Sequence, residues 1–511
     1  MKQSEIDQNA FRPLTPEVRA ELDAIYRQKL EVAQGFAPVE PTGTVYYVSS
    51  IHGSDDFDGT SPDRPLKTPG ACTPKLQKGD TILFECGSIF RRSVNDAFIT
   101  DLKNGVTLAT YGIGPKPIFY GSIKVPAEDW VRVGNSNVYC FDGKALDLNI
   151  YGDVGSIIFD EGKIWGVKTL MTFKDPKTKK IPANETLALR GVYNGLETVD
   201  IPSYPFTCGA DLRGDLSFYH DYSEKRVYLC CEGGNPAERF SSVELTLSRF
   251  PFYMENHAAN ITFLNLDFRN FGTHVIRPMN CKNITVKNCE FRFVGGVIMP
   301  QYGEWRNYYT RLGNAVENWG SCNGLTVENC YFDQLYDTVV TTQSNSAVAS
   351  KKVICKNNVA ERFWWGVELW TAGNVEFSGV DVSGNYFKQM GEGFTTQRPD
   401  KIDPDTDCSV NAFVLLSNGP YEMKRSFSVT DNIVDGSTGK MLFCSWPKTN
   451  ETDDGVRFDR NTYVAPAGGD FARLFARLDK NGGVTCPYTA EGIAQAQKSG
   501  IEEDGVFYFT E

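Results

Sequence analysis

Apolar and polar residues alternate in seven short segments of the middle of the chain, and these segments align without gaps. Each begins with the alternation and ends with an asparagine near a predicted bend. The segments are Ile261–Phe268, Ile284–Phe291, Leu325–Phe332, Val353–Ala360, Val380–Phe387, Phe427–Val434 and Val456–Tyr463. Their starts are 23, 41, 28, 27, 47 and 29 residues apart, a spacing typical of repeat proteins. Their β-branched, alternating character predicts strands rather than pairs of helices.

The repeat predicts an all-β chain folded as a right-handed parallel β-helix, a solenoid in which equivalent residues of successive coils form ladders. A plain coil takes about 23–29 residues, so the spacings of 41 and 47 contain extra chain. We expect these two excursions to form loops over 301–312 and 398–424. Such insertions lie on one face of a solenoid, often the binding face.

The rest of the chain is predicted from its local signals. Thr15 and Pro16 are suited to the start of a helix over 15–34, which we expect to cover an open end of the solenoid. We therefore divide the chain into an N-terminal helix and linker, first coils, a β-rich insertion, main coils with the active groove, and a C-terminal cap. These units are 1–40, 41–122, 123–245, 246–474 and 475–511. The C-terminal cap is predicted to hold a helix over 489–499 and a strand over 505–510.

Charge and composition narrow the partners. The net charge of −12 argues against nucleic acid and disfavours a strongly anionic polysaccharide. No apolar run reaches the roughly 18 residues of a membrane span. The first ten residues are polar and lack the apolar core of a signal peptide, which predicts a cytoplasmic protein, or a secreted one if a leader has been removed. The oligomeric state is left open.

Metal and cysteine patterns predict no cofactor and no metal. The 14 cysteines include no CxxC pair, and Cys289 and Cys330 are expected to stack in one ladder as buried thiols. Asp403, Asp405 and Asp407 resemble the opening of a calcium loop, but the glycine expected after the third acid is missing.

Acidic residues cluster where the second strand of successive coils is predicted. Aligning these strands, among them 339–343, 367–371 and 394–398, places Asp337 and Glu392 at equivalent positions two coils apart, roughly 10 Å at the spacing of neighbouring strands. Glu368 lies on the coil between them, and Glu317 leads into the coil of Asp337. Two carboxylates that flank a glycosidic bond are the usual equipment for its hydrolysis. These four acids are the candidate catalytic residues, although each alone also fits a surface carboxylate.

Aromatic and polar residues near these acids are candidates for binding sugar. Six of the eight tryptophans fall between 305 and 446, and flat aromatic faces suit the apolar face of a sugar ring. The candidate substrate-binding residues are His274, Arg277, Trp305, Trp370, Gln397, Arg398 and Asp400. Structural alternatives stay open for several of them: His274 and the tryptophans also fit packed core positions, and Arg398 also fits an arginine paired with a neighbouring acid.

Two groups of segments resemble known proteins. IHGSDDFDGTSPDRPLKT followed by LQKGDTILFECGSIFR resembles the N-terminal region of β-helix carbohydrate-active enzymes of the pectate-lyase-like superfamily. VENCYFDQLYDTVVTTQ, FWWGVELW and GFTTQRPD resemble coils of bacterial β-helix glycoside hydrolases that act on plant cell-wall glycans. This resemblance implies hydrolysis of glycosidic bonds in a poly- or oligosaccharide by paired acids without a metal.

Two alternatives stay open at this stage. A polysaccharide lyase of the same fold would remove a proton from a uronate with a base such as Arg277 or Arg398. A non-catalytic carbohydrate-binding solenoid would use the groove but leave the acids without a role.

Overall fold

The computed structural model describes residues 11–91, 97–145, 152–174, 182–195, 197–298, 311–371, 375–398, 412–417, 421–437, 441–446, 456–476 and 484–510. Strands dominate this part of the chain, and most of them belong to two large sheets of mainly parallel strands. The all-β prediction is confirmed at this level.

The first large sheet, called the site sheet below, has sixteen described strands. The long strand Val316–Glu328 pairs with two later strands, Thr338–Ser344 and Ser350–Lys356, so the sheet continues from it as two branches of parallel strands. Its strands are Val45–Val48, Thr81–Glu85, Thr107–Tyr111, Ala259–Leu264, Met279–Lys287, Val316–Glu328, Thr338–Ser344, Ser350–Lys356, Trp365–Thr371, Val375–Ser383, Ala412–Ser417, Tyr421–Thr430, Leu442–Trp446, Val456–Asp459, Asp470–Ala476 and Val484–Pro487.

The second large sheet, called the helix-side sheet, has fifteen described strands. They are Phe11–Pro13, Ile89–Arg91, Ile118–Tyr120, Ser122–Lys124, Val154–Phe159, Ile164–Trp165, Val243–Leu247, Asp267–Phe271, Glu290–Val294, Tyr331–Leu335, Val359–Glu361, Tyr386–Met390, Ile433–Ser437, Thr462–Pro466 and Val506–Thr510. The described α-helices are Pro16–Gln34, Pro236–Arg239 and Ala490–Lys498.

The strand pairing follows the sequence repeat. Ile261 pairs with Ile284, Ile284 with Leu325 and Leu325 with Val353, each the first residue of its segment. The first residues of the last three segments pair in the same way. Because a slip of one residue would turn every side chain to the opposite face, this register keeps the apolar positions inside. The gap-free alignment of the seven segments is therefore confirmed.

The recurring asparagines form a buried ladder. The side-chain oxygen of Asn385 accepts a hydrogen bond from the backbone N–H of Asn358 at 2.9 Å. In the same way, the side chain of Asn432 accepts from the N–H of Asn385 at 3.0 Å, and that of Asn461 accepts from the N–H of Asn432 at 2.8 Å. At the C-terminal end, Glu502 accepts from the N–H of Asn461 at 3.1 Å. The ladder satisfies backbone groups that the bend removes from the sheet.

Phenylalanines and cysteines stack between the sheets in the main core. The ring of Phe291 lies 5.3 Å from that of Phe268 and 4.9 Å from that of Phe332. The backbone N–H of Cys289 donates to the sulfur of Cys330 at 3.4 Å, and both are buried free thiols. The predicted cysteine stacking is confirmed.

The N-terminal helix forms where it was predicted, but it does not cover an end of the sheets. Thr15 accepts a hydrogen bond from the N–H of Val18, and the helix runs from Pro16 to Gln34. Its apolar face packs across successive strands of the helix-side sheet, and Arg19 forms an ion pair with Asp435 at 2.6 Å. The prediction of an end cap was wrong because the apolar stripe of this helix matches a sheet face.

The segment predicted as an insertion forms smaller sheets and also contributes Val154–Phe159 and Ile164–Trp165 to the helix-side sheet. Five strands make one sheet, namely Val131–Arg132, Val138–Asp142, Val167–Lys168, Ser217–Asp221 and Arg226–Cys230. Hairpins pair Met171–Phe173 with Pro182–Thr186 and Leu189–Asn194 with Glu197–Ile201. A further two-stranded sheet pairs Ile99–Leu102 with Phe252–Met254. The second hairpin packs against the short 3₁₀ helix Gly393–Gln397, which leads to the candidate site.

Candidate active site

Residues that pair side by side across successive strands are called a ladder here, and each member a rung. One ladder of the site sheet aligns Glu317 with Thr341 and Thr341 with Glu368. The residues that precede them, Val316, Val340 and Val367, are buried in the main core. Since side chains alternate along a strand, the two glutamates point to the outward face, about 10 Å apart by rung spacing.

Glu368 is a buried carboxyl group surrounded by donors. It is 7% exposed, and its Oε2 accepts from Thr338 Oγ1 at 3.2 Å, Thr341 Oγ1 at 3.0 Å and Gln343 Nε2 at 2.6 Å. Burial raises the pKa of Glu368 to about 7, the negative charge of Asp337 adds to the rise, and the three hydrogen bonds oppose it. Near neutral pH this group is therefore present in both protonation states.

Asp337 lies just before the strand Thr338–Ser344 and forms an ion pair with Arg398. The two side chains are 15% and 9% exposed. The Arg398 guanidinium also lies 5.5 Å from the ring centre of Tyr336. This arrangement gives Asp337 and Glu368 contrasting surroundings: Asp337 has a cationic partner, while the donors to Glu368 among the described residues are neutral.

Glu317 is held by three partners, two from the neighbouring rung and one from its own coil. His274 Nδ1 lies 2.9 Å from its Oε2, Arg277 Nε donates to its Oε1 at 3.0 Å, and Asn314 Nδ2 donates to its Oε2 at 2.7 Å. Burial alone would raise the pKa of Glu317, but His274 and Arg277 outweigh it and hold the pKa at about 2. Glu317 is thus a fixed negative charge and not a proton donor at neutral pH.

A second ladder of the same face carries aromatic rings. Trp319 pairs with Gln343 and Gln343 with Trp370, two residues beyond the acid ladder. Trp319 and Trp370 are both partly exposed. The structure therefore brings together seven of the predicted residues on one face: His274, Arg277, Glu317, Asp337, Glu368, Trp370 and Arg398.

The remaining predicted residues lie elsewhere. The segment predicted as the strand 394–398 is instead the 3₁₀ helix Gly393–Gln397 and the residue after it, so Glu392 is not a rung aligned with Asp337. Burial raises the pKa of Glu392, and the positive charge of Arg362 opposes this with a smaller effect. Trp305, Asp400 and the loop 403–407 lie outside the described residues.

Gln397 has a structural environment rather than an open one. Its side chain is buried, its Nε2 donates to Gly166 O at 2.9 Å, and its Oε1 accepts from Lys168 N at 3.2 Å. Arg311 donates to its carbonyl oxygen at 3.3 Å. The predicted substrate-binding role of Gln397 was wrong, because both amide atoms are used to join the 3₁₀ helix to the neighbouring small sheet.

A buried charged cluster behind Gln397 was not predicted. Lys168 Nζ lies 2.5 Å from Asp153 Oδ2, and His220 Nδ1 lies 2.9 Å from Asp153 Oδ1. Asp153 also accepts from the N–H of Ile298 at 2.8 Å. Burial lowers the pKa of Lys168 to about 8 even beside Asp153. No local sequence pattern indicates the contact between Asp153 and Ile298, which lie 145 positions apart in the chain.

Thr338, Thr341 and Gln343 were also missed by sequence reasoning. All three occur in the quoted segment LYDTVVTTQ, but only the register of the strands shows that they face Glu368. Within the described ranges, no group of three or more histidine, cysteine, aspartate or glutamate residues is arranged to hold a metal ion. No helix in those ranges has the length and apolar character of a membrane span.

Comparisons with known proteins give structural likenesses. No protein-family model and no curated protein matches the chain. A solved structure described as a glycoside hydrolase is 11% identical, with 84% of this chain and 95% of that chain covered and a TM-score of 0.45. A complex of XylC with xylose is 12% identical, with coverages of 85% and 70% and a TM-score of 0.41.

A lacto-N-biosidase of family GH136 from Eubacterium ramulus is also 12% identical, with coverages of 85% and 68% and a TM-score of 0.33. Likeness at these identities and TM-scores carries no argument about what this chain does. The function proposed below therefore rests on the geometry and electrostatics of the two ladders and of the ion pair beside them.

Proposed function

We propose that this chain is a glycoside hydrolase that acts on a plant-type poly- or oligosaccharide, with Glu368 as the acid and Asp337 as the second carboxylate. One observation carries the proposal: Glu368 has a pKa raised to about 7 by burial and by Asp337, while Asp337 is ion-paired with Arg398. Two nearby carboxyl groups whose environments separate their protonation are the equipment that glycosidic hydrolysis needs.

The contacts of each group suit its role. Protonated Glu368 donates its proton to the glycosidic oxygen as the bond to the anomeric carbon breaks. The carboxylate that remains accepts from Thr338, Thr341 and Gln343, so the product state of the proton transfer is stabilised where it forms. Ionised Asp337 then attacks the anomeric carbon or takes a proton from the attacking water.

The scaffold of this proposal is a right-handed parallel β-helix, with the five units given above. The in-register parallel pairing of seven successive repeats supports it, as does the alternation of strands between the two large sheets. The site then lies on the outer face of one wall of the solenoid, where an extended polymer can reach it.

The ion pairs disfavour the lyase. A lyase base must be free to take a proton, yet Arg277 is bound to Glu317 and Arg398 to Asp337. Either arginine would have to leave a carboxylate behind in a mostly buried position, which is costly. A non-catalytic binding protein would leave the raised pKa of Glu368 without use.

The test combines a glycan panel with two variants. Purified protein is incubated with plant and algal glycans and with aryl glycosides, and both reducing ends and ultraviolet absorbance are followed. We expect new reducing ends without absorbance. Glu368→Gln should lower the rate on natural glycans by roughly 100- to 10,000-fold, but much less on an aryl glycoside whose leaving group needs no proton.

Asp337→Asn should lower the rate on both kinds of substrate, because the second carboxylate acts whatever the leaving group is. Glu392→Gln is the matched control, since Glu392 is a partly buried acid beside Arg362, and it should keep wild-type activity. Absorbing products, or full activity in both variants, would refute the mechanism.

A further inference from the structure

Arg277 lies between two aromatic rings on the N-terminal side of the carboxylate pair. Its guanidinium carbon is 5.7 Å from the ring centre of Phe250 and 5.9 Å from that of Trp319. The bridge between Ile276 and Val316 places Arg277 on the rung beside Glu317. The arginine and both rings are therefore part of the same outward face as the candidate site.

The guanidinium is fixed at one end and open at the other. Its Nε donates to Glu317, which is itself held by His274 and Asn314. Its two terminal nitrogens have no hydrogen-bond partner among the described residues, and the side chain is 26% exposed. A planar group that is anchored through Nε presents its remaining N–H donors in a set direction, so little entropy is lost when they bind a ligand.

The spacing of the rungs determines how long a ligand must be to contact both Arg277 and the carboxylate pair. Arg277, Glu317, Thr341 and Glu368 occupy four successive rungs, so Arg277 is roughly 14 Å from the acid. Trp319 is two rungs, or about 10 Å, from Trp370 on the same face. Both separations exceed a single sugar ring, so the ligand must be a chain that runs across the strands.

We propose that Phe250, Arg277 and Trp319 form a second subsite, which binds an uncharged sugar unit of an oligosaccharide extending from the carboxylate pair toward the N-terminal rungs. This inference rests on the proposed function, because it takes the position of the scissile bond from Glu368 and Asp337. The sugar face packs on an aromatic ring, and its hydroxyl oxygens accept from the free N–H groups of Arg277.

Local charge favours an uncharged unit. The charge of Arg277 is already matched by Glu317, which is 1% exposed. A sugar carboxylate would place a second anion near this buried one. The net charge of −12 likewise disfavours the binding of an anionic sugar unit.

The test measures dependence on chain length. Neutral xylo- and cello-oligosaccharides of increasing length are compared with oligogalacturonates of the same lengths, and kcat/KM for a long substrate is divided by that for an aryl monosaccharide. We expect this ratio to be high for wild type with the neutral series. It should fall about ten-fold or more in Arg277→Ala, because a hydrogen bond to a charged donor is lost, and also in Trp319→Ala.

Arg460→Ala is the control for removing an arginine, because Arg460 pairs with Asp431 on an exposed surface away from the site. Its ratio should equal that of wild type. Arg277→Lys covers the case in which Arg277→Ala prevents folding because Glu317 loses one of its cationic partners. An unchanged ratio in the folded variants, or a preference for the galacturonates, would overturn the proposal.

Binding separates this inference from the proposed function. If wild type hydrolyses none of the glycans, the proposed function fails, and the same oligosaccharides are titrated calorimetrically into wild type, Trp319→Ala and Arg460→Ala. Affinity that rises with chain length and is lost only in Trp319→Ala would support the subsite without the enzyme. Affinity that is independent of length would overturn it.

Discussion

Replacing Glu368 by glutamine should remove activity and, above neutral pH, make the folded protein more stable. The carboxyl group is 7% exposed, and burial raises its pKa to about 7 from an ordinary 4.5. The folded state therefore binds a proton more tightly than the unfolded state does. Glutamine has nearly the same shape, can accept the three hydrogen bonds through its oxygen, and never ionises.

The sign and size follow from proton linkage. With a raised folded-state pKa, the contribution of Glu368 to stability is fully present below pH 4.5 and is lost as the pH rises through 7. The difference between the two pKa values, at about 1.36 kcal/mol per pH unit, corresponds to roughly 3 kcal/mol. The stability of Glu368→Gln relative to wild type should thus increase by roughly this amount between pH 4.5 and pH 8.5.

Urea unfolding followed by tryptophan fluorescence at the two pH values measures this change. Glu502→Gln is a suitable control, because burial also raises the pKa of Glu502 to about 7 although it lies at the end of the asparagine ladder. We expect each variant to lose the part of the pH dependence of stability that its own carboxyl group contributes. Only Glu368→Gln should lose activity, which separates the catalytic role from the cost of burying a carboxylate.

Equal pH dependence in wild type and Glu368→Gln would refute the reasoning, since Glu368 would then not hold a proton in the folded state. The assignment of the acid would fall with it. Retained activity of Glu368→Gln on natural glycans would refute the assignment independently of any stability measurement.

Two further substitutions test how the fold supports the site. Gln397→Ala should lower kcat by up to about 100-fold with a smaller effect on KM, because Arg398 is then no longer positioned through the neighbouring small sheet. The control Gln389→Ala loses a contact on the helix-side sheet and should leave kcat unchanged. An unchanged kcat would exclude this positioning role. Asn432→Leu should lower the free energy of unfolding by about 1–3 kcal/mol, measured with urea, because the N–H of Asn385 loses its acceptor in the core. An unchanged urea midpoint would contradict the energetic importance of the ladder.

The sequence by itself determined the repeat and its inside-outside pattern. The pairing of Ile284 with Leu325, and of Leu325 with Val353, follows from apolar positions that must be buried on one side of a strand. The sequence also shows the asparagines near the bends, where a nearby side chain must satisfy the backbone groups that the bend leaves unpaired. These features depend on residues close together in sequence.

The register within the site was beyond the sequence. The predicted alignment of the second strands pairs Val339 with Val367, whereas the structure pairs Val340 with Val367. This shift of one residue is what brings Thr341 and Gln343 to Glu368. The excursions before these strands differ in length, so counting residues along the chain does not establish which side chains lie opposite each other.

Only the tertiary structure decided which charges meet. Arg398 reaches Asp337 across 61 residues, and Gln397 beside it is fastened to backbone atoms more than 225 residues earlier. Such pairs leave no local pattern, because each partner alone resembles an ordinary polar residue in a loop. The pKa of Glu368 likewise depends on burial and on the charge of Asp337, both of which exist only once the strands are stacked.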